Sequence, residues 1–116
     1  KNSTHWKNQF SFIDAIKKLE PSWFGLPILI DKKISHKKEK FLNFLNNKGI
    51  ETRPIISGNF INQPCVKLFN LNKKKEKFKN TQEIDERGFF VGLHTAPITN
   101  EQLNFIETNL FKIDEF

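Results

Sequence analysis

The chain has 116 residues, a formal charge of +6 and an isoelectric point near 9.5. This length suffices for one domain with a modest core and not for two. Its single cysteine excludes an internal disulfide and a cysteine-rich metal site, and it favours the reducing cytoplasm. No apolar run approaches the roughly 20 residues that a membrane helix requires. Because the sequence contains no methionine, we expect the natural start to lie upstream of Lys1.

The positive charge raises the question of nucleic-acid binding. Arg53 and Arg87 are the only arginines, and arginine is the residue that binds phosphate and guanine through two parallel hydrogen bonds. Their scarcity argues against a nucleic-acid partner. The alternative is a stand-alone basic module that binds nucleic acid or an acidic partner through its lysine runs, Lys32–Lys40 and Lys73–Lys79. Binding that weakens steeply with salt would identify such a module.

Apolar spacing predicts the elements of the first half of the chain. Residues 1–20 partly follow helical spacing and predict a short amphipathic helix that ends before Pro21. Ser22–Ile30, rich in aromatic and β-branched residues, predicts a strand. Pro27 lacks an N–H and places that strand at an edge or makes it irregular there. Ser35 is then expected to cap a helix that stops at a glycine. Its predicted buried stripe is Phe41, Leu42 and Leu45.

The second half alternates in the same way and completes the predicted fold. Strands are expected at Ile50–Ile56 and Phe89–His94, and helices at Asn62–Phe69, Thr81–Arg87 and from Thr99, where Gln102 completes a capping box. The lysine-rich residues 71–80 are expected to form a solvated loop, and the last residues to fray. The pattern predicts an α/β (α+β) domain with a small antiparallel or mixed three-stranded sheet packed with helices.

No complete catalytic set is recognisable. The chain has no glycine-rich phosphate loop, no cluster with metal-ligand spacing and no nucleophile elbow, so we assign no catalytic residue and no metal ligand. Arg53 lies in an otherwise apolar strand directly before Pro54, and a guanidinium that is even half buried must be paired. Two interpretations stay open: an anion clamp for a substrate, or a structural ion pair with Glu51 or another acidic residue.

Other candidate residues carry a structural and a functional interpretation side by side. Gly58 permits a sharp turn, and Asn59 could bind a ligand or satisfy its own turn, which is the commoner case. Trp23 and Phe24 could line a pocket, although aromatic residues at a strand start are more often core. His94 ends a strand, where α/β layers often bind ligands.

Three segments carry a resemblance to a known family: PSWFGLPI from Pro21, NNKGIETRPIISGNFINQP, and DERGFFVGLH followed by a capped helix. From Pro21 to Phe111 the chain resembles the C-terminal small domain of the DegT/DnrJ/StrS sugar aminotransferases. Within the second segment, the pattern GIETRP followed by GN and QP most resembles the nucleotide-sugar 3-dehydratase branch of this family. Residues 1–20 lie outside the resemblance and are assigned to a linker or to the tail of the large domain, and residues 21–116 to the small domain.

The resemblance implies a homodimeric fold-type I enzyme of deoxysugar and lipopolysaccharide O-antigen biosynthesis. PLP or PMP would be bound by a large domain absent from this chain, so the fragment alone is not expected to be active. The small domain would close one side of the active site around a GDP- or CDP-4-keto-6-deoxyhexose. By match, the substrate-binding residues are Trp23, Phe24, Arg53, Ser57, Asn59, Phe60 and His94. A related aminotransferase, such as a perosamine-type synthase, is the other candidate. A lysine at the cofactor position upstream would indicate transamination, and a histidine dehydration.

Overall fold

The computed structural model describes residues 8–13, 16–69 and 78–116. The strands of this described part are β1 (Phe10–Phe12), β2 (Gly25–Ile30), β3 (Thr52–Arg53) and β4 (Gly88–Gly92). Its α-helices are α1 (Lys38–Asn47), α2 (Cys65–Leu68), α3 (Lys79–Arg87) and α4 (Asn100–Leu110). Short 3-10 helices cover Lys32–Lys37, Phe60–Asn62 and Phe111–Glu115. Most of the predicted lysine loop, with residues 70–77, lies outside the described residues.

The strands form one antiparallel sheet in the order β1-β2-β4-β3. Its centre is the pairing of β2 with β4, in which Gly25 lies opposite Gly92 and Leu29 opposite Gly88. The predicted α/β class and the antiparallel sheet are confirmed. The sheet has four strands instead of three, because the N-terminal segment adds one.

The additional strand is β1, where we predicted a helix. Phe10 pairs with Ile30 and Phe12 with Ile28, so the phenylalanines lie on one face of the sheet and Ser11 on the other. Phe10 is 3% exposed. The helix prediction was wrong over Phe10–Phe12, because the alternation of its two phenylalanines also fits a strand and the free edge of β2 selected the extended form. The parts of that helix at residues 1–7 and 14–15 lie outside the described residues.

Pro27 is tolerated because β1 is short. The register between β1 and β2 ends at the pair Phe12–Ile28, one residue before Pro27 is reached. Pro27 therefore pairs only with Phe90 of β4. The strand was predicted to lie at an edge or to be irregular at Pro27. It lies inside the sheet, but the proline itself occupies a local edge, where its missing N–H breaks no bond in the ladder.

One face of the sheet carries the core. The buried apolar residues packed together there are Phe10, Ile28, Ile30, Phe41, Leu45, Ile50, Phe89, Leu110 and Ile113. Helix α1 contributes Phe41 and Leu45 of its predicted stripe, while Leu42 is only half buried. Burial of these side chains is the main favourable term of folding for a domain of this size.

The C-terminal residues do not fray as predicted. Ile113 is 0% exposed, and the ring of Phe116 packs against the rings of Phe41 and Phe44 with centroid distances of 6.1 and 5.3 Å. Lys37 donates from Nζ to the carbonyl oxygens of Ile113 at 3.3 Å and of residue 114 at 3.1 Å. The C-terminal turn is thus part of the core, because Ile113 joins the buried cluster and the Phe116 ring packs against α1.

Of the three helix ends predicted here, one is wrong and two are confirmed. The predicted cap Ser35 lies inside the 3-10 helix, and Asp31 caps that helix by accepting the N–H of Lys33 at 2.9 Å. Gly49 ends α1 with φ +80°, as predicted. The capping box is present: the Thr99 hydroxyl accepts the Gln102 N–H at 3.2 Å, and the Gln102 side chain accepts the Thr99 N–H at 2.9 Å.

Arg87 joins α3 to the end of β2. Its Nη1 donates to the carbonyl oxygen of Ile30 at 2.8 Å, and its Nε lies 2.7 Å from a carboxylate oxygen of Glu83. The other carboxylate oxygen of Glu83 accepts from Lys32 Nζ at 2.7 Å. The Arg87 side chain is 19% exposed, so its charge is largely shielded from water, whereas the Glu83 side chain is 31% exposed. Such charge-assisted bonds are stronger than neutral ones.

We expect Arg87→Met to lower the free energy of unfolding by about 1.5–3 kcal/mol, because it removes the charge-assisted hydrogen bond to the Ile30 carbonyl and the ion pair with Glu83. Arg53→Met is the matched control, since Arg53 also pairs with a glutamate but its side chain is 65% exposed. An exposed pair of that kind contributes about 0–1 kcal/mol. Urea unfolding of both variants measures the difference. Equal losses would contradict a structural role for Arg87.

Acid stability should depend on Glu83. The hydrogen bond from Lys32, assisted by the charges of Lys32 and Arg87, holds the pKa of this carboxyl below its ordinary value of 4.5. The unfolded chain therefore binds the proton first, so this contribution to stability is complete above pH 4.5 and is lost as pH falls through the lowered pKa. We expect the urea midpoint of unfolding to fall less steeply in Glu83→Gln than in the unmodified chain when the pH is lowered from about 5. An unchanged slope would contradict this assignment.

Candidate functional site

An open cleft of about 500 Å³ lies where β3 and β4 meet the start of β2. It is lined by Phe24, Glu51, Arg53, Phe90, Val91, Gly92, Leu93 and His94. Three of the predicted site residues, Phe24, Arg53 and His94, thus come together from three separate segments of the chain. The sheet register places them, because Arg53 lies opposite Phe90 and the Phe24 carbonyl accepts the Leu93 N–H at 2.9 Å.

Arg53 lies at the rim of the cleft and is not half buried as the sequence suggested. Its side chain is 65% exposed, and its Nε donates to Oε1 of Glu51 at 2.9 Å. The predicted strand Ile50–Ile56 is reduced to two residues, since Pro54 cannot donate to a ladder. The pairing with Glu51, one of the two interpretations of the sequence, is therefore the arrangement present. It does not remove Arg53 from the cleft, and the ion pair forms one of its walls.

Two phenylalanines form the apolar side of the cleft. The rings of Phe24 and Phe90 meet edge to face, with centroids 5.5 Å apart and planes at 78°. Gly25 makes room for this pair, because a Cβ at that position would lie 2.5 Å from the Phe90 ring. Phe24 is 69% exposed and Trp23 is 44% exposed, so the core interpretation of these two residues is wrong. Trp23 does not line the cleft.

His94 follows β4 and stands between two depressions. Its Nδ1 accepts the backbone N–H of Ala96 at 3.0 Å. Since Nδ1 is then an acceptor, the neutral ring carries its proton on Nε2. His94 lines the cleft that contains Arg53, and it also lines a second groove of about 600 Å³ beside α4. That groove is mostly apolar and includes Ile50, Val91, Pro97, Ile98, Phe105 and Ile106.

The turn Ser57–Phe60 does not line the cleft. Asn59 is 2% exposed; its Oδ1 accepts the Ile61 N–H at 3.3 Å and its Nδ2 donates to Gln82 at 2.8 Å. The turn interpretation of Asn59 therefore matches its contacts. The Ser57 carbonyl accepts from the Gln63 side chain at 2.8 Å, and Phe60 is 53% exposed. Asn59 thus fastens the turn to α3, and the turn lies outside the cleft that contains Arg53.

Sequence reasoning did not single out Phe90, which lines the cleft, or Gln82, which holds the Ser57–Phe60 turn against α3. The doublet Phe89–Phe90 held a signal for Phe90, because neighbouring residues of a strand point to opposite faces and only Phe89 was needed for the core. Gln82 held no such signal. Its Oε1 accepts hydrogen bonds from Asn59 at 2.8 Å and Asn62 at 3.1 Å, and this arrangement depends on how α3 packs.

The basic-module alternative finds little support in the first lysine run. Lys32 pairs with Glu83 at 2.7 Å, and Lys38 Nζ donates to the Asp85 carbonyl at 2.8 Å. Burial lowers the pKa of Lys38, although the charges of Asp85 and Glu86 oppose that shift. Several lysines of this run are thus engaged within the domain. Most of the second run lies outside the described residues.

The lining of the two depressions does not fit pyridoxal phosphate. The one guanidinium in their lining that could face its phosphate, that of Arg53, is already paired with Glu51. Over residues 8–13, 16–69 and 78–116, no three His, Cys, Asp or Glu side chains are grouped to hold a metal ion. No helix in this part of the chain is long and apolar enough to cross a membrane.

A small four-stranded antiparallel sheet with helices, open at a mixed aromatic and polar cleft, defines a small α/β domain. Residues 7–110 match the model of the DegT/DnrJ/EryC1/StrS aminotransferase family. The chain belongs to this family, which confirms the predicted membership. The match begins upstream of Pro21, where the recognisable motifs began, and it includes β1.

Two curated relatives are GDP-4-keto-6-deoxy-D-mannose 3-dehydratases. The enzyme of Escherichia coli O55:H7 is 31% identical over 106 residues, which are 87% of this chain and 27% of that protein. The enzyme of Yersinia pseudotuberculosis is 34% identical over 118 residues, 97% of this chain and 28% of that protein. The chain therefore spans little more than a quarter of the length of these relatives.

Solved structures that resemble this chain carry the same enzyme name as these relatives. The E. coli GDP-4-keto-6-deoxy-D-mannose-3-dehydratase with bound hydrated PLP superposes with a TM-score of 0.71 at 26% identity, covering 91% of this chain and 27% of that one. A mutant of GDP-4-keto-6-deoxymannose-3-dehydratase with bound GDP-perosamine also gives a TM-score of 0.71, at 28% identity and the same coverage.

Proposed function

We propose that this chain forms the C-terminal small domain of a PLP-dependent nucleotide-sugar 3-dehydratase of lipopolysaccharide biosynthesis, and that GDP-4-keto-6-deoxy-D-mannose is its substrate. The observation that carries the proposal is the convergence of Phe24, Arg53 and His94 in one cleft. Each comes from a different segment, and those segments are the ones whose motifs indicated the family. The names of the relatives supply the reaction and the GDP-sugar.

In this proposal the cofactor is bound by the rest of the polypeptide, where it supplies the electron sink for loss of a hydroxyl. This domain supplies one wall of the active site and orients the sugar nucleotide. The homodimer and the cytoplasmic location implied by the resemblance are part of the same proposal. The aminotransferase alternative is decided upstream: a histidine at the cofactor position supports dehydration, and a lysine there supports transamination.

Replacement of Arg53 tests the proposal. We expect Arg53→Ala in the complete enzyme to raise the KM for GDP-4-keto-6-deoxy-D-mannose by about 10-fold or more, since a hydrogen bond to a charged group contributes ~1.5–3 kcal/mol. The melting temperature should stay close to that of the unmodified enzyme, because the Glu51 pair is exposed. The exposed Lys33, which lies outside both depressions, provides the control variant Lys33→Ala. An unchanged KM with a large fall in melting temperature would identify Arg53 as structural.

A further inference from the structure

The charges of the cleft determine which part of a nucleotide sugar it suits. Arg53 and Glu51 are the charged residues of its lining, apart from the titratable His94, and they neutralise each other through the Nε–Oε1 hydrogen bond at 2.9 Å. Both side chains are accessible, at 65% and 71% exposure. A diphosphate placed against Arg53 would also face the Glu51 carboxylate, and like charges in contact repel. The cleft is thus poorly suited to an anion.

The same lining suits a neutral group that both donates and accepts hydrogen bonds. Arg53 has further N–H donors beyond those directed at Glu51, and the Glu51 carboxylate has free acceptor positions. A sugar hydroxyl donates one hydrogen bond and accepts others, so it can bridge such a pair without separating it. The rings of Phe24 and Phe90 offer an apolar surface to the C–H face of a pyranose ring.

His94 completes this set as a donor whose protonated nitrogen in the neutral ring is identified by its backbone contact. The Ala96 N–H occupies Nδ1 at 3.0 Å, which keeps the proton of the neutral ring on Nε2. No partner for Nε2 is present among the described residues, and the side chain lines the cleft. His94 also lines the groove beside α4, so its Nε2–H is a donor available at the boundary of the two depressions, within reach of the cleft lining.

We propose that this cleft binds the hydroxyl-bearing hexose ring of the nucleotide sugar and not its diphosphate, with His94 donating from Nε2 to a sugar oxygen. The proposal rests on the proposed function and deepens it, because it assigns the substrate moiety that these residues recognise. A site built to bond a hydroxyl discriminates strongly against a ligand that lacks it, so Arg53, Glu51 and His94 become determinants of sugar specificity.

A matched pair of substitutions isolates the His94 donor in the complete enzyme. His94→Gln places an amide N–H near the position of Nε2, whereas His94→Asn keeps an acceptor near the position of Nδ1 and has no group at Nε2. We expect His94→Asn to raise the KM for GDP-4-keto-6-deoxy-D-mannose about 3- to 10-fold, as for loss of a neutral hydrogen bond, and His94→Gln to restore most of it. If the asparagine variant kept the original KM, or the glutamine variant were equally impaired, the donor role would be overturned.

Inhibition by GDP separates the sugar from the diphosphate. We expect Arg53→Ala and His94→Asn to raise the KM for the sugar nucleotide while the inhibition constant of GDP changes less than about 2-fold, because GDP lacks the hexose. A parallel rise of both constants would place the diphosphate in the cleft and overturn the proposal. If neither substitution altered either constant, the proposed function of the cleft itself would fail. Melting temperatures of both variants identify any loss caused by misfolding.

Discussion

Phe41→Ala is expected to lower the free energy of unfolding by about 3–5 kcal/mol, the largest effect we predict. Phe41 is 0% exposed and lies at the centre of the core. Its ring meets those of Phe10 at 6.0 Å, Phe89 at 6.3 Å and Phe116 at 6.1 Å, measured between centroids. The substitution would remove contacts with β1, β4 and the C-terminal turn together and leave a cavity that these rigid elements cannot fill.

Chemical unfolding followed by circular dichroism measures this loss. Phe69→Ala is the control, because Phe69 is 72% exposed and should change stability by less than about 0.5 kcal/mol. A loss below about 1 kcal/mol for Phe41→Ala would contradict the packing of α1 against the sheet.

Gly58→Ala should cost about 2–4 kcal/mol, because two effects act together. Gly58 has φ +56°, a conformation that is strained for any residue with a Cβ. A Cβ placed there would also lie 1.9 Å from Oδ1 of Asp85 on α3. Asp85 accepts from Asn62 at 3.0 Å through its other oxygen, so moving its side chain would disturb the contact between the turn and α3.

Gly49→Ala separates the two effects. Gly49 also has a positive φ, +80°, but a Cβ added at this position would have no atom within 4 Å, so only the backbone strain of about 1–2 kcal/mol remains. The double variant Gly58→Ala/Asp85→Ala should recover part of the loss, because it removes the atom that clashes. Equal thermal midpoints for Gly49→Ala and Gly58→Ala would show that α3 does not lie against the turn.

The candidate site illustrates how far local reasoning extends. Arg53 stood out because a charged residue interrupted an apolar strand, and the structural alternative paired it with Glu51 or another acidic residue. That the pair is exposed could not be foreseen, because exposure depends on how short β3 is and on which strand lies beside it. The turn interpretation of Asn59 was accessible from sequence, since an Asx turn is a local interaction.

Local signals in the sequence by themselves determined the α/β class, the strand β4, the glycine that ends α1 and the capping box of α4, because each depends on residues a few positions apart. Only the tertiary structure decided that Phe10–Phe12 forms a strand and that the C-terminal turn joins the core. It also decided that Phe24, Arg53 and His94 share one cleft. These outcomes depend on partners distant in the chain: a free edge on β2, a phenylalanine on α1 and the register of β4, none of which a short window of sequence contains.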